Sequence, residues 1–391
     1  MRILMINTVC GIRSTGRICT DLAARLEEDG HEVKIAYGRG TVPKSIEKYA
    51  VRIGNETDVI KHAVTARLTD GSGFGSRTVT ERFIRWVREY DPDIIHLHNI
   101  HGYYINIEVL FEYLRSCGKR IIWTLHDCWS FTGHAAYCEE PLCEKWQNGC
   151  TRCSKIREYP ASLIDRSEKN WHRKKELFTG IPDLTIVTPS RWLADLVGRS
   201  YLSEYEVKVI HNGIDLRKFH PIPSEIKKTL GIENRKMILG VAALWEDRKG
   251  LKDFLQLSRM LDHSYAIVLV GLPEKQIASL PEEIIGMGRT DTVEDLARLY
   301  TAADVYVNPT YEDNYPTTNL EAIACGTPVV TYATGGSGES AIKYGIAVEK
   351  GNVEQLKQAI MNADWNNVSE IDPDIDVKTC LKKYSKMYLP G

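Results

Sequence analysis

Residues 305–332 read V-Y-V-N-P-T-Y-E-D-N-Y-P-T-T-N-L-E-A-I-A-C-G-T-P-V-V-T-Y. Two apolar runs, VYVNP and PVVTY, enclose a polar loop and a stretch that can open a helix at Thr317-Thr318 and stop it at Cys325-Gly326-Thr327-Pro328. Strand, loop, helix and strand in this order form the repeating unit of a parallel sheet. The loop carries Glu312, Asp313 and Asn314; the helix carries Glu321. Free N–H groups at a helix start bind an anion, and carboxylates accept hydrogen bonds from polyol hydroxyls. An anion joined to polyols describes a sugar nucleotide.

The same alternation runs outward in both directions. Towards the N-terminus, MILGVAA, YAIVLVG and IIGMG are expected strands, with helices near 250–261 and 293–302; after PVVTY a helix is expected near 353–362. An earlier series comprises RILMIN, EVKIAY, DIIHLH, RIIWTLH, LTIVTPS and VKVIHNGID, with helices near 16–29, 78–90, 106–116 and 191–198. Near-continuous apolar strands between helices indicate parallel sheets covered on both faces. The fold class is therefore α/β, with two Rossmann-like doubly wound domains and a cleft between them. The expected division is 1–214 and 215–371, with a C-terminal helix of about 372–391 packing back on the first domain. Ligands of open α/β sheets bind beyond the carboxyl ends of the strands.

At 391 residues, two domains are the default. A net charge of −2 gives no global basic field for nucleic acid. No apolar run reaches the length of a membrane span, and M-R-I-L-M-I-N-T reads as a buried strand rather than a signal peptide. Ten Cys without a secretion signal favour a reducing, cytoplasmic setting. Residues 151–175 hold eight basic and three acidic side chains. Lys155, Arg157, Arg166, Lys169, Arg173, Lys174 and Lys175 either face anionic lipid or form a solvated helix face.

Several motifs carry candidate chemistry. After the first strand, Gly11 and Gly16 allow close backbone approach at a helix start, but the Lys of a P-loop is missing. His96, His98, Asn99 and His101 follow one strand; His126, Asp127 and His134 follow another. No recognised metal spacing links these histidines, and His126 at a strand end can hydrogen-bond a sugar hydroxyl. Cys138, Cys143, Cys150 and Cys153 read either as a structural zinc set or as reduced thiols in a surface loop. Arg248-Lys249-Gly250 after MILGVAA can clamp a diphosphate. Gly335-Gly336 after PVVTY offers backbone N–H groups to phosphate or sugar.

The stretch 311–330 resembles the nucleotide-sugar motif of retaining family 4 glycosyltransferases, which have the GT-B fold. The family pattern is an acid, seven residues, then Glu. It places Asp313 at the first acid, with Glu312 one residue before. Lys249-Gly250 resembles the family's phosphate-binding pair, although Ala243 stands where an Arg is usual. H-N-G-I-D at 211–215 and L-H-D at 125–127 are similar to further family segments. The Gly11–Gly16 loop and the Cys-rich loop look most like transferases of bacterial capsular, colanic-acid-type or O-antigen polysaccharides.

The resemblance implies a nucleoside-diphosphate sugar (UDP- or GDP-linked) on the C-terminal domain. Donor contacts would come from Gly11, Gly16, Arg248, Lys249, Glu312, Asp313, Asn314, Thr317, Thr318, Glu321, Gly335 and Gly336. His126, Asp313, Lys249 and Glu321 would be catalytic. His98, Asn99, His126, Asp127 and His134 would bind an oligosaccharide or lipid-linked acceptor at the inner face of the cell membrane. No cofactor is required by the resemblance. The rival readings are an epimerase or phosphorylase-like enzyme on the same architecture, or a non-catalytic carbohydrate-binding protein.

Overall fold

The computed structural model describes residues 1–139, 141–362, 368 and 371–388. Its thirteen described strands form two sheets. The first contains β1 (Arg2–Asn7), β2 (Glu32–Tyr37), β3 (Ala50–Arg52), β4 (Ile94–Leu97), β5 (Arg120–Thr124), β6 (Leu184–Thr188) and β7 (Glu206–Val209), in the order β3-β2-β1-β4-β5-β6-β7. The second contains β8 (Lys236–Val241), β9 (Tyr265–Val270), β10 (Ile284–Met287), β11 (Val305–Asn308), β12 (Val329–Tyr332) and β13 (Gly345–Val348), in the order β10-β9-β8-β11-β12-β13. Every ladder is parallel. Such strands must be apolar on both faces, and Ile3, Leu4 and Met5 of β1 and Met237, Ile238 and Leu239 of β8 are fully buried.

The chain divides into two compact units. One is Met1–Ile210 with the described residues from Leu381 on; the other is His211–Cys380. The break falls inside the expected strand VKVIHNGID, of which β7 takes only residues 207–209. In the first unit the end of the chain supplies Tyr384 and Tyr388, both buried, beside His96 of β4.

Two strands and five α-helices go beyond the sequence expectation, three of these helices being single turns at Ile226–Thr229, Glu274–Ile277 and Ser337–Ala341. β3 and β13 are edge strands of three and four residues, too short to show an alternation. The helix Glu56–Thr69 opens on a capping box between Asn55 and Asp58. The helix Ser167–Phe178 takes up the second half of the basic stretch, from Lys169 to Lys175. The helix Val377–Tyr388 occupies the part of the expected C-terminal helix that lies within the described residues.

Candidate active site

In the second unit the strand order reverses between β8 and β11. Loops after these strands leave in opposite directions, and the crevice at their carboxyl ends is where doubly wound sheets hold ligands. The loop after β8 makes one 3₁₀ turn, Asp247–Lys249, and exits through Gly250 at φ 72°. A Cβ on Gly250 would lie 2.2 Å from the Pro309 carbonyl oxygen, so only glycine lets this loop meet the one after β11. Tyr311 N–H and Thr310 Oγ1 both donate to the Arg248 carbonyl, at 2.8 and 3.2 Å. This docking brings Lys249 Nζ to 2.5 Å from Asp313 Oδ2. Arg248 Nη1 donates to the Glu312 carbonyl at 3.4 Å.

The two acids left open by the sequence differ in exposure. Glu312 is 3% exposed, whereas the Asp313 side chain keeps 17%. Asp313 is therefore the more accessible carboxylate. Asn314 is buried, and its N–H donates to Asp313 Oδ1 at 3.0 Å. The helix Thr317–Ala324 begins after Pro316 with no side chain capping its first turn. Glu321, on that helix, accepts from Tyr300 Oη at 2.9 Å; Tyr300 is fully buried. Arg289, from the segment after β10, donates to the Ala243 carbonyl at 3.0 Å, which puts a guanidinium beside the position where the family's Arg is missing.

A buried polar network fixes these parts. Asn319 Oδ1 accepts from Asn308 Nδ2 at 2.9 Å, and its Nδ2 donates to Ser340 Oγ at 2.8 Å and Ser337 Oγ at 3.2 Å. Ser337 Oγ is 2.7 Å from Thr331 Oγ1. The loop bearing Gly335 and Gly336 is thereby tied to β11, β12 and the Glu321 helix. Tyr311 and Tyr332 both donate to buried Asp253, at 3.2 and 2.9 Å. Burial raises the Asp253 carboxyl against the lowering effect of these phenols.

In the first unit the order reverses between β1 and β4. His96, at the centre of β4, is fully buried, with Nδ1 on Tyr388 Oη at 2.5 Å and Nε2 on Thr124 Oγ1 at 2.8 Å. Both nitrogens serve the core. His98 Nδ1 lies 3.1 Å from His126 Nε2, and these rings share a small crevice with Asn99, His101, Asp127 and Ser130. Burial, more than neighbouring histidines, pulls His96 down to about 3 and His98 well below the ordinary range. Burial holds His126 at about 4 although the Asp127 carboxylate pushes it up. At neutral pH all three are uncharged rings, suited to hydrogen bonding rather than to charge.

Asp127 connects to a residue the sequence did not point out. Its Oδ1 accepts from Trp129 N–H at 2.9 Å, and its Oδ2 lies 2.9 Å from His101 Nε2. His101 Nδ1 is 2.9 Å from Tyr159 Oη. In the tautomer with the proton on Nε2 facing the carboxylate, Nδ1 accepts from the Tyr159 phenol. Tyr159 lies in an irregular loop far from His101 in sequence, and no periodicity marks it.

Other expected residues have different surroundings. His134 is fully enclosed, with Nδ1 2.5 Å from Asp70 Oδ1; it clasps two loops and cannot meet an acceptor in this arrangement. Gly11, at φ 71°, donates its N–H to the Gly16 carbonyl at 3.1 Å, so the two glycines close their loop on itself. Lys155 and Lys174 of the basic stretch are buried. Lys174 Nζ donates to the Trp129 and Thr132 carbonyls at 2.8 and 3.1 Å and sits 3.4 Å from the Trp129 ring centroid. The zinc set does not assemble. Among the described residues no three His, Cys, Asp or Glu side chains are grouped to hold a metal ion. Cys138 instead turns to the buried Cys128 thiol, while Gly133 N–H donates to Cys150 Sγ at 3.2 Å.

The sequence was compared with known families and structures. The family described as Glycosyltransferase Family 4 matches residues 15–218, and the one described as Glycosyl transferases group 1 matches 235–363. WcaC of Escherichia coli (strain K12), named as a glycosyl transferase of colanic acid biosynthesis, is 26% identical over 84% of this chain and 82% of its own length. The N,N'-diacetylbacillosaminyl-diphospho-undecaprenol alpha-1,3-N-acetylgalactosaminyltransferase of Campylobacter jejuni is 33% identical over a shorter segment, 33% of this chain and 37% of its own. Among solved structures, the sucrose-phosphate synthase from Thermosynechococcus elongatus superposes with a TM-score of 0.73 at 17% identity, covering 99% of this chain and 98% of its own. Anabaena HepE, solved with UDP and glucose, reaches 0.67 at 15% identity and covers 99% of both chains. Matches that span both sheets select the transferase over the epimerase and the binding protein: the chain belongs to Glycosyltransferase Family 4 and is a glycosyltransferase of the GT-B fold.

Proposed function

We propose that the protein is a retaining glycosyltransferase. It moves a hexosyl or N-acetylhexosaminyl group from a nucleoside-diphosphate sugar to a hydroxyl of a lipid-linked oligosaccharide in surface polysaccharide synthesis. The observation that carries the reading is the Lys249–Asp313 pair at 2.5 Å, held at the strand-order reversal of the second sheet. A cation for the diphosphate and a carboxylate for the donor sugar stand side by side, with Glu321 following on the next helix. The name of the Campylobacter transferase supports a glycan on a lipid carrier, that of WcaC supports a polysaccharide product, and HepE supports a uridine nucleotide.

In this mechanism Glu321, steadied by Tyr300, accepts hydrogen bonds from the ribose. Asp313 accepts them from the sugar. Lys249, Arg248 and Arg289, with the first N–H groups of the helix Thr317–Ala324, bear the charge that grows on the leaving diphosphate. Fixed donors aimed at developing charge accelerate the step without reorganising. The bond from the anomeric carbon to the phosphate oxygen breaks and the bond to the acceptor oxygen forms on the same face. The acceptor proton passes to the departing phosphate oxygen, so no side-chain base is needed. Neutral His126 and His98 orient hydroxyls, and Asp127 with His101 and Tyr159 holds the acceptor side.

A melting-temperature screen with UDP- and GDP-linked sugars tests the donor assignment, because a ligand of the folded state alone raises the transition. At least one nucleotide sugar should raise it in the wild type and fail to do so in Lys249→Ala. An identical shift in both proteins would remove the assignment.

A further inference from the structure

The helix Glu56–Thr69 turns Val59, His62 and Ala66 inward. Its opposite face is not polar. Ile60, Val64 and Leu68, spaced by four residues, are 61%, 54% and 54% exposed. No acidic residue occurs from 59 to 69. Lys61 and Arg67 flank the stripe, both exposed, and neither forms an ion pair among the described residues. Large aliphatic side chains recurring along one face, rather than scattered singly, mark a contact surface.

A second segment extends the patch. Leu163 N–H donates to the Arg67 carbonyl at 2.8 Å, Ser162 Oγ donates to the same oxygen at 3.2 Å, and Arg166 N–H donates to Asp70 Oδ2 at 2.8 Å. Leu163 and Ile164 are thereby held at the end of the helix, 52% and 40% exposed, with Arg166 exposed beside them. Five aliphatic side chains and three cations make one surface on the first unit. The single acid within it, Asp165, is engaged by the N–H groups of Cys153 and Ser167. Burial of Lys155 and Lys174 removes two cations from the stretch that the sequence offered to lipid, so charge alone does not make the surface.

We propose that the helix Glu56–Thr69 and residues 163–166 enter the interface of an anionic bilayer. The aliphatic side chains reach the acyl boundary and Lys61, Arg67 and Arg166 meet headgroup phosphates. A face that joins an apolar stripe to unpaired cations suits such an interface, where a folded protein partner would need complementary acids. The inference rests on the reading of a lipid-linked acceptor and gives it an address on the fold.

The test is flotation of the full chain with vesicles of phosphatidylglycerol and phosphatidylethanolamine, and with vesicles of phosphatidylcholine alone. The wild type should float with the anionic vesicles and about ten-fold less with the neutral ones. Ile60→Ser, Val64→Ser and Leu68→Ser combined should cut flotation about ten-fold, as should Lys61→Ser with Arg67→Ser. These positions are exposed, so melting temperature and its shift with donor should stay as in the wild type. Wild type that stays at the bottom of every gradient, or a stripe variant that floats normally, overturns the proposal. So does wild-type dimerisation that the stripe variant abolishes, since a second copy would then cover the patch. Flotation retained without any donor shift would count against the transferase reading and leave the surface intact.

Discussion

At the scale of single residues, the donor site is a matter of which charge faces which. Lys249 pairs with Asp313 in the structure and is the cation we assign to the leaving diphosphate. Its removal should weaken donor binding and also cost transition-state stabilisation, as loss of one fixed donor does, lowering kcat about 10²-fold as well as raising the donor KM. Steady-state kinetics of Lys249→Ala check this; a change confined to KM would assign it to ground-state binding. Tyr300 is fully buried and donates to Glu321, so the role we assign to it is to position that carboxylate. Tyr300→Phe removes one hydrogen bond to a carboxylate, worth about 1.5 kcal/mol, or ten-fold. The donor KM should rise by about that factor with kcat nearly kept, and a fall in kcat alone would contradict the positioning role. The histidines make a different prediction. His96, His98 and His126 have folded pKa values below the ordinary His value of 6.5. Between that value and about 4 the unfolded chain binds more protons, so their contribution is complete above pH 6.5 and is lost as pH falls towards 4. Denaturant melts should show stability dropping across this window, with a shallower drop in His96→Gln.

At the scale of elements, the loops after β8 and β11 depend on a single missing side chain. Gly250 combines φ 72° with a Cβ position 2.2 Å from the Pro309 oxygen. Gly250→Ala must push the loops apart and carry Lys249 away from Asp313. Turnover should fall at least as far as in Lys249→Ala, and a normal rate would show that the docking is dispensable. Elements also explain what could be read in advance. Central strands such as RILMIN and YAIVLVG announce themselves because both faces are buried, and Thr317-Thr318 with Cys325-Gly326 bounds its helix within a residue. The edge strands β3 and β13 carry no pattern to read. The helix Glu56–Thr69 hides because its outer face is as apolar as its inner one. Spacing alone presented His134, Lys155 and Lys174 as available groups. The enclosure of His134 and Lys174 follows from Asp70 and from the Trp129 and Thr132 carbonyls, partners that no local pattern reveals.

At the scale of the whole molecule, two parallel sheets each reverse their strand order once, and candidate residues gather beyond both reversals. This arrangement was legible in the recurring strand and helix signals and in the D-x7-E spacing from Asp313 to Glu321. The supports of the site were not. Tyr159 reaches His101, Tyr300 reaches Glu321, and Ser337 reaches Asn319 across distances that only the fold closes. The proposed membrane surface belongs to the first unit alone, so its loss should leave donor recognition by the second unlike any site variant: unbound to vesicles yet stabilised by nucleotide sugar. The central claim concerns the second sheet, and the most direct test is release of nucleoside diphosphate from the nucleotide sugar found in the screen, wild type against Glu321→Ala. The account predicts a loss of about 10²-fold or more in the variant, with its fold retained in circular dichroism; wild-type turnover by Glu321→Ala would contradict it.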